Sequence, residues 1–82
     1  MGHHIAKIKK GKRGEISKIQ EELDELKDAV KQGNSLLVKH ELSDLFGAVR
    51  EYALKYKLKM RDLHELNKAV RHAKEFRDPS ES

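Results

Sequence analysis

Between Glu15 and Gln32 the apolar residues recur at Ile16, Ile19, Leu23, Leu26 and Val30, a spacing alternating three and four that marks one face of a helix. On a wheel of about 100° per residue, Glu22 falls at the edge of this stripe and Glu25 one step beyond it, with Lys18 and Ala29 on the same flank. The acids are expected to border the core without occupying it. Gly33-Asn34-Ser35 breaks the pattern: Gly33 suits a left-handed C-terminal position, and Asn34 or Ser35 the next N-cap. A second helix is predicted from about Leu36 to about Lys57, with Val38, Leu42, Leu45, Val49, Tyr52 and Tyr56 on one face. Glu41 and Asp44 lie on its margin beside Leu37 and Ala48, and Phe46 and Ala53 add a second apolar flank, wider than one partner helix covers. Gly47, inside this helix, costs up to about 1 kcal/mol relative to alanine, which calls for close approach of a neighbour or ligand.

A third helix is predicted to start at Asp62, whose side chain can cap it, with Glu65 completing a box-like arrangement. Leu63, Leu66, Val70 and Ala73 form its apolar face, and Lys68, Arg71, Lys74 and Arg77 carry cations along it. Pro79, within a polar tail at 79–82, ends it. There is no strand pattern and no internal repeat. The fold class is all-α: an antiparallel helical hairpin plus a third helix, forming an oligomeric helical bundle.

The 82 residues make one small domain, a size that buries only about 60% of its unfolded surface, so oligomerisation is the expected source of further burial. The chain has no cysteine, which removes disulfides and thiolate metal sites and fits a reducing compartment. No apolar run approaches membrane-spanning length, and the basic N-terminus lacks a following apolar segment, so a cytoplasmic location away from membranes is expected. The net charge is +4, with 18 Lys and Arg against 14 Asp and Glu. Five of the cations (Lys7, Lys9, Lys10, Lys12, Arg13) and none of the acids fall in residues 1–14, which leaves 13 against 14, or −1, for the remainder. The chain therefore divides into a basic arm (1–14), a helical domain (15–78) and the tail. Such an arm attracts phosphate or is simply solvated. His3-His4 within it resembles a tag remnant, but two histidines are too few to decide.

Two clusters stand out, Glu21-Glu22-Leu23-Asp24-Glu25 and Glu41-Leu42-Ser43-Asp44. In each, two acids sit three apart and so leave the same side of a helix. Packing the two helices through a short turn brings four like charges together, and the usual remedy is a hard divalent cation held by oxygen ligands. A single acidic pair is ordinarily a solvated helix face; two on consecutive helices, both on the shoulder of an apolar stripe, are harder to dismiss, and a metal site stands beside the solvated-face reading. A donor set of carboxylates alone favours magnesium, with manganese as the alternative, over zinc.

These motifs, EExxE followed after 15 residues by ExxD, resemble the signature of the MazG-like all-α nucleoside triphosphate pyrophosphohydrolases. Gly14-Glu15-Ile16-Ser17-Lys18-Ile19 and Leu45-Phe46-Gly47-Ala48-Val49 are similar to the short, often phage-encoded members, and the likeness covers residues 14 to about 77. The resemblance implies magnesium-dependent hydrolysis of an NTP or dNTP to the monophosphate and pyrophosphate. It implies Glu22, Glu25, Glu41 and Asp44 as catalytic metal ligands, with Glu21 as an additional ligand or a supporting group. Metals held there clamp the phosphates and help generate the hydroxide that attacks the α-phosphorus. It also implies a dimer or tetramer, and basic residues near the C-terminal helix as phosphate contacts; Lys18, Arg71 and Lys74 are the first candidates. Larger members have a longer helical segment before EExxE, where this chain has only the glycine-punctuated arm, so base recognition is the least transferable property.

Other signals are weak. Gly11-Lys12-Arg13-Gly14 matches the GXXG of KH nucleic-acid modules, which need a sheet. There is no GxxxxGK[ST] phosphate loop, and the histidines lack metal spacing. Tyr52 and Tyr56 fit core or subunit contacts better than base stacking. Two rivals remain: a non-catalytic helical interaction module, and a small nucleic-acid-binding protein, which the −4 balance of residues 15–44 disfavours.

Overall fold

A computed structural model of the chain describes residues 4–75, and all regular structure among them is helical. Helix α1 spans Ile16–Gln32, α2 spans Ser35–Ala53, a 3₁₀ turn follows at Leu54–Tyr56, and α3 spans Met60–Glu75. The ends expected at Arg77, Pro79 and the 79–82 tail, and His3 at the other end, lie outside the described residues. Among those described, no helix is long and apolar enough to cross a membrane.

The dipeptide Gly33-Asn34 both ends α1 and starts α2. Gly33 is left-handed at φ 67°; its N–H reaches the Val30 carbonyl at 3.0 Å and that of Asn34 reaches Ala29 at 3.3 Å, a paired closure that only a residue without a Cβ adopts cheaply. Asn34 then turns its side chain forward, and Oδ1 accepts from the Leu37 N–H at 3.0 Å. So short a link lays α1 directly against α2, the one extensive helix pair among the described residues.

Two boundaries differ from expectation. Helix α2 stops at Ala53, short of Lys57, because the chain tightens into the 3₁₀ turn and Lys57 goes left-handed at φ 58°. Its N–H closes on Leu54 at 3.0 Å and that of Leu58 on Ala53 at 3.1 Å, so a lysine performs the stop that glycine performs after α1. Helix α3 starts at Met60, ahead of Asp62. Asp62 therefore occupies the third helical position and reaches back, its Oδ2 accepting from the Lys59 N–H at 2.9 Å.

Burial overturns the expectation that the acids merely border the core. The most buried residues are Ala29, Leu37, Ala48 and Ala53 together with Glu21, Glu22, Asp28 and Glu41. Glu22 is 6% and Glu41 2% exposed, whereas the stripe residues Ile16 (59%), Val30 (61%) and Leu42 (50%) and the flanking Phe46 (55%) stand in solvent. The α1–α2 seam is thus rotated toward the acid and alanine flank. The helices close on small side chains there, and the large apolar ones are only half-buried or left outside. Leu66 and Val70 of α3 are likewise exposed, and an open hollow of about 570 Å³ lined by Phe46, Val49, Met60 and Leu63 separates α3 from α2.

The basic arm supplies the covering that the acid flank needs. The Ile5 and Ala6 N–H groups donate to Asp28 at 3.0 and 3.2 Å, the Gly11 N–H to Glu21 Oε1 at 2.8 Å, and the Lys12 N–H to Ser17 Oγ at 2.9 Å. Backbone amides, more than lysine heads, hold the arm; Lys10 Nζ is 3.8 Å from Glu21 and 85% exposed. The seating is close: a Cβ on Gly11 would lie 2.0 Å from the Ser17 carbonyl oxygen, so only glycine fits.

Candidate metal centre

Glu22 and Glu25 leave α1 one turn apart and Glu41 and Asp44 leave α2 one turn apart, and the Gly33-Asn34 link sets the two pairs face to face. One carboxylate oxygen from each of the four lies within 4.8 Å of the others. All four residues named from the sequence as catalytic ligands are therefore brought together. Glu21 is not among them. It turns toward the arm, between the Gly11 N–H and Lys18 Nζ at 3.1 Å, and these partners hold its carboxyl below the usual range although burial opposes them.

The cluster is electrostatically unbalanced. Burial, the adjacent Glu22 carboxyl, and repulsion from Glu41 and Glu21 push Glu25 up from 4.5 to about 7. Burial and the neighbouring Asp44 raise Glu41 as well, against the pull of His4. Lys18 is the nearest fixed cation: its Nζ is 3.2 Å from Glu22 Oε1 and 3.1 Å from Glu21, contacts that raise its own pKa against the effect of burial. The other Glu22 oxygen, Oε2, is buried and receives no N–H or hydroxyl donor, and the hydrogen bond between Glu22 and Glu25 needs a proton on Glu25. Without that proton a buried, unsatisfied carboxylate oxygen costs on the order of 1–3 kcal/mol. A hard divalent cation satisfies such a group of carboxylates, and the residues present fit magnesium or manganese.

Two further residues join the cluster. His4 Nε2 lies 2.7 Å from Glu41 Oε2 and Nδ1 lies 3.0 Å from Asp28 Oδ2. Asp28, one turn past Glu25, also accepts from Gln32 Nε2 at 2.9 Å. Although burial opposes it, the N–H groups of Ile5 and Ala6 with Gln32 and His4 pull its carboxyl down to about 2. The three-residue step from Glu25 to Asp28 is visible in the sequence; nothing local marks His4, which is 21 residues from Glu25 and 37 from Glu41.

Beside the acids lies a cleft of about 300 Å³ lined by Glu22, Asp44 and Glu51 together with the cations Arg13, Lys18 and Arg50. Arg13 is held there by Glu51, Nη2 to Oε1 2.8 Å. Gly47 forms part of the floor, and a Cβ built on it meets nothing within 4 Å. No packing within the protomer accounts for a glycine there. Lys18 is thus beside the acids, as expected, whereas Arg71 and Lys74 are not. Arg71 edges a separate hollow on α3 with Lys68 and His72, and Lys74 is exposed near the end of that helix. No protein-family profile, curated protein or solved structure matches the chain.

The raised Glu25 has a thermodynamic consequence. Between its ordinary 4.5 and about 7 the folded protein binds more protons than the unfolded chain, so stability of the metal-free protein falls as pH rises through that window. His4, whose pKa is raised by Asp28 and Glu41 against burial, adds a loss in the same direction above 6.5. Thermal midpoints of wild type and Glu25→Gln from pH 4 to 8 check this. The slope between about 4.5 and 7 should flatten in Glu25→Gln, and a stability that rises with pH in wild type contradicts the electrostatics described.

Proposed function

We propose that the protein is a magnesium-dependent nucleoside triphosphate pyrophosphohydrolase of the MazG-like type, converting an NTP or dNTP to the monophosphate and pyrophosphate by water attack at the α-phosphate. The observation that carries this reading is the convergence of Glu22, Glu25, Glu41 and Asp44, with a buried Glu22 oxygen that receives no N–H or hydroxyl donor. These four residues would hold the ion, which would neutralise negative charge developing on the phosphates and help generate the attacking hydroxide. Lys18, already at the edge of the carboxylates, steadies Glu22 and offers its ammonium to the phosphate chain. Arg13 and Arg50 line the same cleft and present planar donors suited to phosphate oxygens. Gly47 keeps the floor open beneath them. Arg71 and Lys74 lie apart from the cleft within one protomer, so the phosphate contacts expected of them require α3 of another subunit.

The exposed stripe supports an assembly. Ile16 and Val30 on α1 and Leu42 and Phe46 on α2 are exposed large apolar side chains, and a chain of this size gains most by burying them against a second copy. The reading is an antiparallel α1–α2 hairpin with α3, completed as a homodimer or homotetramer in the cytoplasm. A stable folded monomer in light scattering contradicts it. The same surface favours a second reading, a non-catalytic helical module that docks a different protein there.

Pyrophosphate release from a panel of nucleoside triphosphates separates the two. Wild type should release pyrophosphate with magnesium and not with a chelator. Glu41→Gln should lose more than about 100-fold, in keeping with the several kcal/mol a metal contributes. Gly47→Ala should raise the thermal midpoint, alanine being better by up to about 1 kcal/mol in a helix interior, while lowering turnover by crowding the cleft. Equal inertness of wild type and Glu41→Gln across the panel removes the enzyme reading and leaves the docking module.

A further inference from the structure

We propose that His4 is a nitrogen ligand to the same centre, recruited by the N-terminal arm, and that it biases the site toward manganese and other first-row transition ions over magnesium. The inference rests on the reading of the four carboxylates as a metal site and adds to it a donor of a different kind. One atom each from His4, Glu25 and Glu41 lies within 4.8 Å of the others, and Glu25 and Glu41 are also members of the four-carboxylate group. The imidazole is therefore at the ligand cluster and not beside it.

Its orientation is fixed from behind. Nδ1 lies 3.0 Å from Asp28 Oδ2 and Nε2 2.7 Å from Glu41 Oε2, so without an ion both nitrogens can donate; an ion entering the cluster takes the place of the Nε2 proton while Nδ1–H stays on Asp28. A carboxylate behind one ring nitrogen with the other directed at the donor set is the arrangement that fixes the tautomer of metal-ligating histidines and strengthens them as ligands. Asp28 is itself immobilised by the N–H groups of Ile5 and Ala6 and by Gln32. The arm thus positions the imidazole twice: once by carrying it, and once by clamping the carboxylate that aims it. Nothing else in the arm requires a histidine at this position, since Ile5, Ala6 and Gly11 hold it through backbone N–H groups.

A nitrogen donor changes which ion is preferred. Carboxylate oxygens alone suit magnesium, and an imidazole adds affinity for manganese, cobalt and their neighbours but little for magnesium. His40 is the competing nitrogen, with Nε2 3.3 Å from Asp44, but its side chain is 45% exposed.

The test uses the full chain with manganese and magnesium as probes. Calorimetric titration should give manganese binding weakened about 10-fold or more in His4→Gln, and severalfold in Asp28→Asn, with magnesium binding changed little. Pulsed electron paramagnetic resonance of the manganese-loaded protein should display a ¹⁴N coupling that is lost in His4→Gln and kept in His40→Gln. A coupling that follows His40, or no coupling with unchanged manganese affinity in His4→Gln, overturns the assignment while leaving the carboxylate site standing. If neither ion binds wild type more tightly than Glu41→Gln, the metal reading fails and this inference with it. Hydrogen exchange at Ile5, Ala6 and Gly11 in His4→Gln checks that the arm stays seated, and the spectroscopic readout holds whether or not turnover changes.

Discussion

Repulsion among buried carboxylates is the constraint on which the rest of the structure turns. Glu22, Glu25, Glu41 and Asp44 bring oxygens within 4.8 Å of one another, with Glu22 and Glu41 buried and Glu25 and Asp44 partly so, and the protein alone offsets only part of that cost. Lys18 takes one oxygen of Glu22, His4 takes one of Glu41, and a proton resides on Glu25 up to about pH 7. Glu22 Oε2 receives no N–H or hydroxyl donor. Apolar packing gives no reason to bury Glu22 and Glu41 with Glu25 and Asp44 beside them, since acids are costly there when unpaired. A ligand that neutralises them does.

The same constraint explains why burial and hydrophobicity are inverted. The seam that closes is the one lined by Ala29, Ala48 and Ala53, whose short side chains let α1 and α2 approach closely enough for the acids to meet. Of the bulky residues Leu37 is buried, most of the stripe is half-buried, and Ile16, Val30, Leu42 and Phe46 remain exposed. A chain built this way gives well-buried positions to acids and leaves Ile16, Val30, Leu42 and Phe46 in solvent. The arm belongs to the same arrangement: its amides satisfy Glu21 and Asp28, so the acids flanking the centre are ordered and the four in the middle are the ones left for a cation.

Much of this is legible in the sequence because it follows helical periodicity. The three helices, the Gly33-Asn34 junction and the meeting of both acid pairs all derive from spacing of three and four residues. What escapes is whatever periodicity does not encode. The arm is a lysine and glycine run whose folding depends on backbone N–H groups reaching Asp28 and Glu21, contacts that leave no mark in its side-chain pattern. The early end of α2 depends on Lys57 adopting a left-handed conformation that residue type disfavours, and Asp62 serves α3 from its third position instead of capping it. The rotation of the seam is hidden for a different reason: the amphipathic pattern assigns the inward face to the larger apolar residues, whereas here alanines set how closely the helices approach.

One experiment reaches the shared site without reference to turnover. Substoichiometric manganese added to the ¹⁵N-labelled protein relaxes nearby amides, and the effect falls off steeply with distance. If the four carboxylates are one centre, the amides of residues 21–25 and 41–44 broaden together along one saturation curve, while those around the exposed Asp62 and Glu65 persist. Broadening confined to a single helix, or distributed over exposed acids along the chain, would show that the clusters do not form a common site.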